Sequence, residues 1–436
     1  MGVREIAKKD KNAQFNSLFH LINVELLIKG FDSLDRKSAT GIDNISWQDY
    51  NKNLLENIKS LKEEISNGSY KPKPARIILI PKAGGSDRKI SILCLRDKIV
   101  QQAVVLVLEN IYEEDFLGFS YGFRKGRSQH DALDSLSVGI YRKKISWVLD
   151  LDLSNFFDRV DHDWLIKFLQ HRIQDKRIIR LITKWLKVGY LDEKGRHNRS
   201  SVGTPQGSVI SPLLSNIYLH YVYDLWCNNW REKVCTGEMM VIRYADDSVV
   251  CFQYKETADR FLSELKVRLK KFGLALNEDK TRLIRFGRFA STDCKKLKLG
   301  KPKTFDFLGF THICSVTQKG NFAIQRKTIK KRLLARLREL RKEIFYRRHR
   351  PVRETASWLS SVIRGHANYF AVHGNLNSVY LYIYEISRAW YYSLCRRSQR
   401  KRLNWAKFQT YLEPLLPKVK IMHEYSNIRF DAKYSR

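Results

Sequence analysis

The stretch from Met240 to Phe252 constrains this chain more than any other. Apolar, β-branched runs lie on either side of Tyr244-Ala245-Asp246-Asp247. This pattern predicts a β-hairpin whose tight turn lifts adjacent carboxylates to its tip. Two bare aspartates side by side repel, and a divalent cation is their natural neutraliser. Hard cations such as Mg²⁺ take carboxylate oxygens, and phosphoryl chemistry uses a pair of them about 4 Å apart. A plain surface turn also favours Asp, for backbone reasons. The four residues alone admit both readings.

A second stretch bears on the choice. From Trp147 to Asp158, strict alternation sets Asp150 and Asp152 on one face of a strand and Leu149, Leu151 and Leu153 on the other. Aspartate is disfavoured inside strands, so two of them need a reason. Asp150 or Asp158 suits a salt bridge or a turn cap. Asp152 is the better candidate metal ligand.

The sequence of 436 residues is long enough for two or three domains, and its 80 Lys and Arg against 45 Asp and Glu leave a net charge of +35. That excess is a footprint for a polyanion, usually nucleic acid. A membrane competes poorly, because no apolar run approaches the roughly 18 residues of a spanning helix. The first residues lack the apolar core of a secretory signal, so a cytoplasmic location is expected. The seven cysteines are scattered and form no Cys-x-x-Cys pair. Reduced thiols are expected, with Cys94, Cys251 and Cys314 in core packing.

Taken in order, residues 1–70 read as amphipathic helix, with Leu54, Ile58, Leu61 and Ile65 forming one apolar face between Tyr50 and Ile65. Ala75–Lys82 and Arg88–Leu93 read as a hairpin carrying Lys82, Arg88 and Lys89, either a grip for a triphosphate or a solvated surface. A buried helix, Arg96 to Ile111, comes next. Tyr121-Gly122-Phe123-Arg124-Lys125-Gly126-Arg127 mixes aromatic, glycine and arginine, which suits contact with a nucleic-acid backbone, so Arg124 and Arg127 are candidates. Around Gln206, Gly203, Pro205, Gly207 and Pro212 mark a rigid loop entering a helix, where glycine would let a ligand approach the backbone. Residues 256–272 are amphipathic helix, 277–281 a turn and 283–286 a strand. Together these imply an antiparallel sheet backed by helices, closed by Phe305-Asp306-Phe307-Leu308-Gly309-Phe310.

After Gly320 the composition shifts. Between Arg326 and Arg350 twelve Lys or Arg face two Glu, over an apolar stripe of Ile329, Leu333, Leu337, Leu340 and Ile344. A basic face is often only solvated surface. Here such an excess would repel itself unless a phosphate backbone neutralised it, which favours RNA contact by Lys331, Arg338 and Arg341. Arg364, the aromatic run Tyr380–Tyr392, and the cluster holding Arg397 and Arg400 beside Trp405 extend that surface, since rings and charge together suit structured or single-stranded RNA.

The ordered set resembles the motifs of group II intron reverse transcriptase/maturases. It comprises the Ile80-Pro81-Lys82 hairpin, Arg96–Gln101, Ser120–Arg124, Asp152–Asp158, Gln206-Gly207 with Ser211-Pro212, Tyr244–Asp247, Asn277–Thr281 and Phe307-Leu308-Gly309. The likeness runs from about Ala39 to about Tyr425. It implies an α+β right-hand polymerase, with an N-terminal extension and start of the fingers at 1–70, fingers and palm at 71–315, and a helical thumb/maturase domain at 316–436. The implied reaction is attack of a primer 3′ hydroxyl on a deoxynucleoside triphosphate, on an RNA template. The resemblance gives two Mg²⁺ to Asp152 and Asp246, with support from Asp247 and a further ligand from the Leu153 carbonyl. Lys82, Arg88, Gln206 and Lys280 would contact the nucleotide. Phe157 would exclude a ribose 2′ hydroxyl, with Phe156 as the fallback.

The expected partners are a structured RNA, either a group II intron or a related noncoding RNA, a primed RNA template and dNTPs. The similarity implies a role in splicing and retrohoming. A domesticated relative serving antiphage defence with a dedicated RNA is the alternative. Two departures stand out. The second fingers strand reads Arg88-Lys89-Ile90-Ser91-Ile92-Leu93 where the family usually has a proline-glycine pattern, and no endonuclease-like cysteine or histidine motif comes after residue 405.

Overall fold

The computed structural model describes residues 2–80, 87–192, 194–198, 201–397 and 403–434. In chain order the strands are β1 (Ala75–Ile80), β2 (Arg88–Ile92), β3 (Trp147–Asp152), β4 (Tyr190–Leu191), β5 (His197–Asn198), β6 (Met239–Tyr244), β7 (Asp247–Phe252), β8 (Arg282–Arg285), β9 (Phe305–Phe307), β10 (Phe310–Val316) and β11 (Phe322–Thr328). They form three sheets, ordered β2-β1-β4-β5, β6-β7-β3-β8 and β11-β10-β9.

The central sheet, β6-β7-β3-β8, is antiparallel throughout. Alternation sends Leu149, Leu151, Val250 and Phe252 into a core shared with the N-terminal helices and the Leu95–Asp115 helix. It sends Val148, Val249, Cys251 and Ile284 into a second core against the Gln129–Arg142 helix and β9–β10. Both faces are therefore covered at one end of the strands. Such strands read as largely apolar runs, and Asp152 and Asp247 stand together at the end of β3 and the start of β7.

The N-terminal region is helical, as the apolar spacing predicts. The expected single helix from Tyr50 to Ile65 is instead two, Trp47–Lys52 and Leu54–Ser66, because Asn53 leaves helical geometry at φ −125° and ψ 43°. The β1–β2 hairpin forms as expected from Ala75 to Ile92; its turn, with Lys82, lies outside the described residues.

Past the central sheet the structure departs from the sequence reading. Arg326 and Lys327 do not begin a helix; they end β11, which pairs with β10 along its length. The basic helix starts at Lys330 and runs to Tyr346. Its stripe of Leu333, Leu337, Leu340 and Ile344 packs with the Val352–Phe370 and Leu376–Cys395 helices around Trp390, in a separate third core. The chain then returns to the sheet body. The Ser426–Tyr434 helix lies on Gln129–Arg142, tied by Arg142–Asp431 and Lys433–Asp131 ion pairs. No described helix is long and apolar enough to cross a membrane.

Candidate active site

The β6–β7 hairpin turns through Ala245 and Asp246, closed by the Tyr244–Asp247 pair. Ala245 sits at φ +56°, the left-handed geometry that a tight hairpin demands. Gly122 is pressed onto this turn, and a Cβ there would stand 2.3 Å from the Ala245 nitrogen. Only glycine lets that loop reach the turn.

On the neighbouring strand Asp152 lies directly opposite Asp247 in register. The pairing brings a carboxylate from a segment almost a hundred residues away to the tip of the hairpin. Asp150, one pleat inward, is paired with Arg282 at 3.3 Å. It therefore has the salt-bridge role that the sequence leaves open between it and Asp158. Asp152 itself is met by Lys280, whose Nζ is 2.8 Å from Oδ2. Lys280 reaches it because the Asn277 nitrogen donates to the Asp152 carbonyl and anchors the turn that carries the lysine. Leu153 is next on the strand and is bridged to Leu276.

The carboxylates feel one another. Burial pushes Asp247 up to about 6, and Asp246 and Asp152 add to the rise while Arg332 opposes it. Burial also lifts Asp246 above the usual carboxylate range; Asp152 reinforces this, whereas Arg88 and Arg243 pull it back. A cluster of carboxylates made costly by desolvation and mutual repulsion is relieved by a hard divalent cation with oxygen ligands. Among the described residues no group of three or more His, Cys, Asp and Glu side chains encloses an ion by itself.

Around the carboxylates, the structure sorts the other sequence candidates. Arg88 opens β2 as an exposed residue, with its charge reaching Asp246. Phe156 is 2% exposed and packed against Tyr218, so it belongs to the core, while Phe157 is half-buried beside it. Of the two candidate gates, only Phe157 is partly exposed. Gln206 lines a cavity of about 390 Å³ with Arg88, Ser91, Asn155, Tyr190 and Thr204. Its carbonyl accepts a 2.6 Å bond from the Ser91 nitrogen. Gly207 has a different role from the one expected. At φ +103° its missing Cβ would meet the Ser91 carbonyl at 2.5 Å, so the glycine admits β2, not a ligand.

The basic candidates divide sharply. Arg124 is not available to RNA. Its guanidinium is buried, forks onto Glu113 and donates to the Leu117 and Ser120 carbonyls. Arg127, half-buried, donates to the Gly118 carbonyl and lies over Tyr121. On the helical region Lys331, Arg338 and Arg364 are exposed. Arg341 is tied to Glu385, and Arg397 donates to the Arg350 carbonyl. Arg400 lies outside the described residues.

Two buried polar centres sit inside stretches the motifs mark, but nothing local in the sequence shows what they bond to. Gln101, on the Leu95–Asp115 helix, accepts from Ser208 Oγ and from the Val209 and Ile210 nitrogens. Arg243, next to the Ala245-Asp246 turn, is 1% exposed and fully hydrogen-bonded. Their partners are distant in sequence, so no local pattern announces them.

Comparison with known proteins accords with this geometry. The reverse transcriptase (RNA-dependent DNA polymerase) family matches residues 80–312, which run from the last residue of β1 into β10 and include all three cleft aspartates. The chain belongs to this family. As a reverse transcriptase it is an RNA-directed DNA polymerase by descent. It is 35% identical to the protein YkfC of Escherichia coli K12 over 275 residues, 56% of this chain and 71% of that one. It is 39% identical to the group II intron-encoded protein LtrA of Lactococcus lactis subsp. cremoris over 166 residues, 38% of this chain and 27% of that one. An uncharacterised 91 kDa protein in a cob intron of Schizosaccharomyces pombe is 31% identical over 415 residues, 81% of this chain and 48% of its own length. The intron-encoded relatives bear out the resemblance read from the motifs, although this reverse transcriptase spans half or less of their length.

Proposed function

We propose that this chain synthesises DNA on an RNA template and that its helical region holds a structured RNA, either a group II intron or a related noncoding RNA. The carrying observation is the register that sets Asp152 opposite Asp247, beside Asp246 at the turn. Asp152 and Asp246 would hold two Mg²⁺, supported by Asp247 and the Leu153 carbonyl. Bound there, the ions supply activation of the primer hydroxyl and neutralisation of the leaving pyrophosphate.

The protein's own groups do the rest. Arg88 and Gln206, which line one cavity, draw the triphosphate toward the turn and bound the nucleotide together with Phe157, while Gly122 and Gly207 let backbone pack closely on the turn and on β2. The exposed Lys331, Arg338 and Arg364 support a phosphate-binding surface on the helical region.

Primer extension on an RNA template tests the chemistry. Wild-type protein should make cDNA and Asp246→Ala, Asp247→Ala protein should make none; cDNA from that variant overturns the proposal. Sequencing the RNA that copurifies tests the partner, and recovery of an intron ribozyme is the expected result.

A further inference from the structure

The turn that bears Asp246 is held from behind by one buried guanidinium. Arg243 Nε donates to Asp224 Oδ1 at 2.6 Å and Nη2 to Asp224 Oδ2 at 2.5 Å. Nη1 donates to Asn216 Oδ1 at 3.1 Å and to the Ala245 carbonyl at 2.9 Å, and Nη2 donates to Ser120 Oγ at 2.6 Å. All five of these bonds are inside the protein. Asn216 continues the chain of contacts by donating from Nδ2 to the Gly122 carbonyl at 2.7 Å, and Gly122 is the residue pressed onto Ala245. Three segments thus meet at one planar cation immediately before the turn.

Asp224 reaches Arg243 because the helix that carries it is not regular. Residues His220–Asp224 form a π-turn between the Ser211–Leu219 and Leu225–Lys233 helices. An extra residue in one turn rotates the next helical segment by about 100° relative to a straight helix. The same turn places Tyr223, whose hydroxyl is 2.6 Å from Ser248 Oγ, the side chain after Asp247. One bulge therefore anchors β6 through Asp224 and β7 through Tyr223, on both sides of the carboxylates. A buried ion pair adds little net stability over apolar packing, so its presence here is better explained by the geometry it imposes. Ala245, in left-handed backbone, is the residue whose carbonyl the guanidinium fixes.

We propose that Arg243, seated on the His220–Asp224 π-turn, is a positioning residue for the divalent-cation site. It holds the Ala245-Asp246 backbone so that the carboxylates of Asp246 and Asp152 face a common point. The inference rests on the polymerase reading, and the test separates the two. Wild-type protein that makes no cDNA defeats that reading, whereas substitutions at Arg243 and Ser120 bear only on the positioning role.

The experiment compares wild type with Arg243→Lys and with the milder Ser120→Ala. The readouts are steady-state primer extension, the melting temperature, and Mn²⁺ binding to the substrate-free protein measured by electron paramagnetic resonance. Lysine keeps the charge but loses the fork that reaches Asp224, Asn216 and Ala245 together. In Arg243→Lys, kcat should fall about a hundredfold, the scale of a reacting group displaced by ~1 Å. Mn²⁺ affinity should weaken about tenfold, while KM for primed template stays within about twofold. Folded Arg243→Lys with wild-type kcat and Mn²⁺ affinity overturns the proposal. So does a loss of kcat with unchanged Mn²⁺ affinity. Should Arg243→Lys not fold, Ser120→Ala decides, since it removes one acceptor and keeps the ion pair. A severalfold loss in both kcat and Mn²⁺ affinity supports the proposal, and no change in either refutes it.

Discussion

Replacing Gln101 should damage nucleotide binding from a distance. Its Oε1 accepts from Ser208 Oγ at 2.8 Å, from the Val209 nitrogen at 3.1 Å and from the Ile210 nitrogen at 3.4 Å. These donors sit just ahead of the Ser211–Leu219 helix, where its own carbonyls cannot satisfy them. Gln101→Leu keeps the volume and removes the acceptor. Each buried donor left unpaired costs about 1–3 kcal/mol, so the two shorter bonds set a cost of about 2–6 kcal/mol. The loop escapes part of that cost by moving outward to water, and this movement carries Gln206 with it. The Gln206–Ser91 bond and the Thr204 nitrogen's bond to the Phe157 carbonyl, at 2.6 and 2.7 Å, then weaken. KM for dNTP should rise about 10- to 100-fold, equivalent to about 1.4–2.8 kcal/mol, with a smaller change in kcat. Gln101→Glu retains an acceptor of the same length and should restore most of the loss. The assay is primer extension with dNTP titrated at saturating template. Unchanged KM in Gln101→Leu, or a Glu variant as impaired as Leu, would refute the reasoning.

Phe157→Ala should admit ribonucleotides, read as a fall in the dNTP-to-rNTP ratio of kcat/KM, whereas Phe156→Ala should cost about 3–5 kcal/mol in chemical denaturation because it empties a core site. Arg124→Ala should lower stability and leave RNA affinity intact, since its guanidinium is consumed by Glu113 and carbonyls. Lys331→Ala with Arg338→Ala should instead lower RNA affinity and shrink the salt dependence by about two counterions in filter binding, with melting unchanged. Burial pushes Asp97 up to about 6 from 3.8, against hydrogen bonds from Tyr70 and the Lys73 nitrogen. The folded value is the higher one, so its contribution is fully present below pH ~3.8 and is lost as pH rises through ~6, about 3 kcal/mol in all. Asp97→Asn should flatten the denaturation free energy across that window, and an unchanged slope would count against the assignment.

Legibility in the sequence tracks the range of the forces involved. The β6–β7 hairpin and β3 are legible because strand alternation and turn chemistry are local, and their aspartates break an otherwise apolar pattern. The basic helix is legible from its stripe, but its start is not. Arg326 looks like more of the same charge, yet in β11 it is buried against Asp134, a partner almost two hundred residues earlier. Arg124 misleads for the same reason, because an arginine in a glycine-rich loop gives no local sign of whether it meets phosphate or a half-buried glutamate. Gly207 shows the converse: the need for glycine is visible, but the Ser91 backbone that requires it is not.

The Lys280–Asp152 pair joins the two parts of the candidate site. The family resemblance puts Lys280 at the nucleotide, and it stands 2.8 Å from a carboxylate instead, with side-chain exposures of 67% for the lysine and 29% for the aspartate. A pair so open to water is worth at most about 1 kcal/mol. It cannot compete with a doubly charged ion for the same oxygen, and an ion arriving at Asp152 would release the ammonium. The lysine is carried on a turn anchored to the Asp152 carbonyl, so the freed side chain stays within its own length of the carboxylate. The nearest new anion is then the triphosphate that such an ion brings in. The contact to Asp152 and the expected contact to nucleotide would thus be two ends of one short swing. Removing Lys280 should therefore weaken nucleotide binding without loosening the strand that carries Asp152.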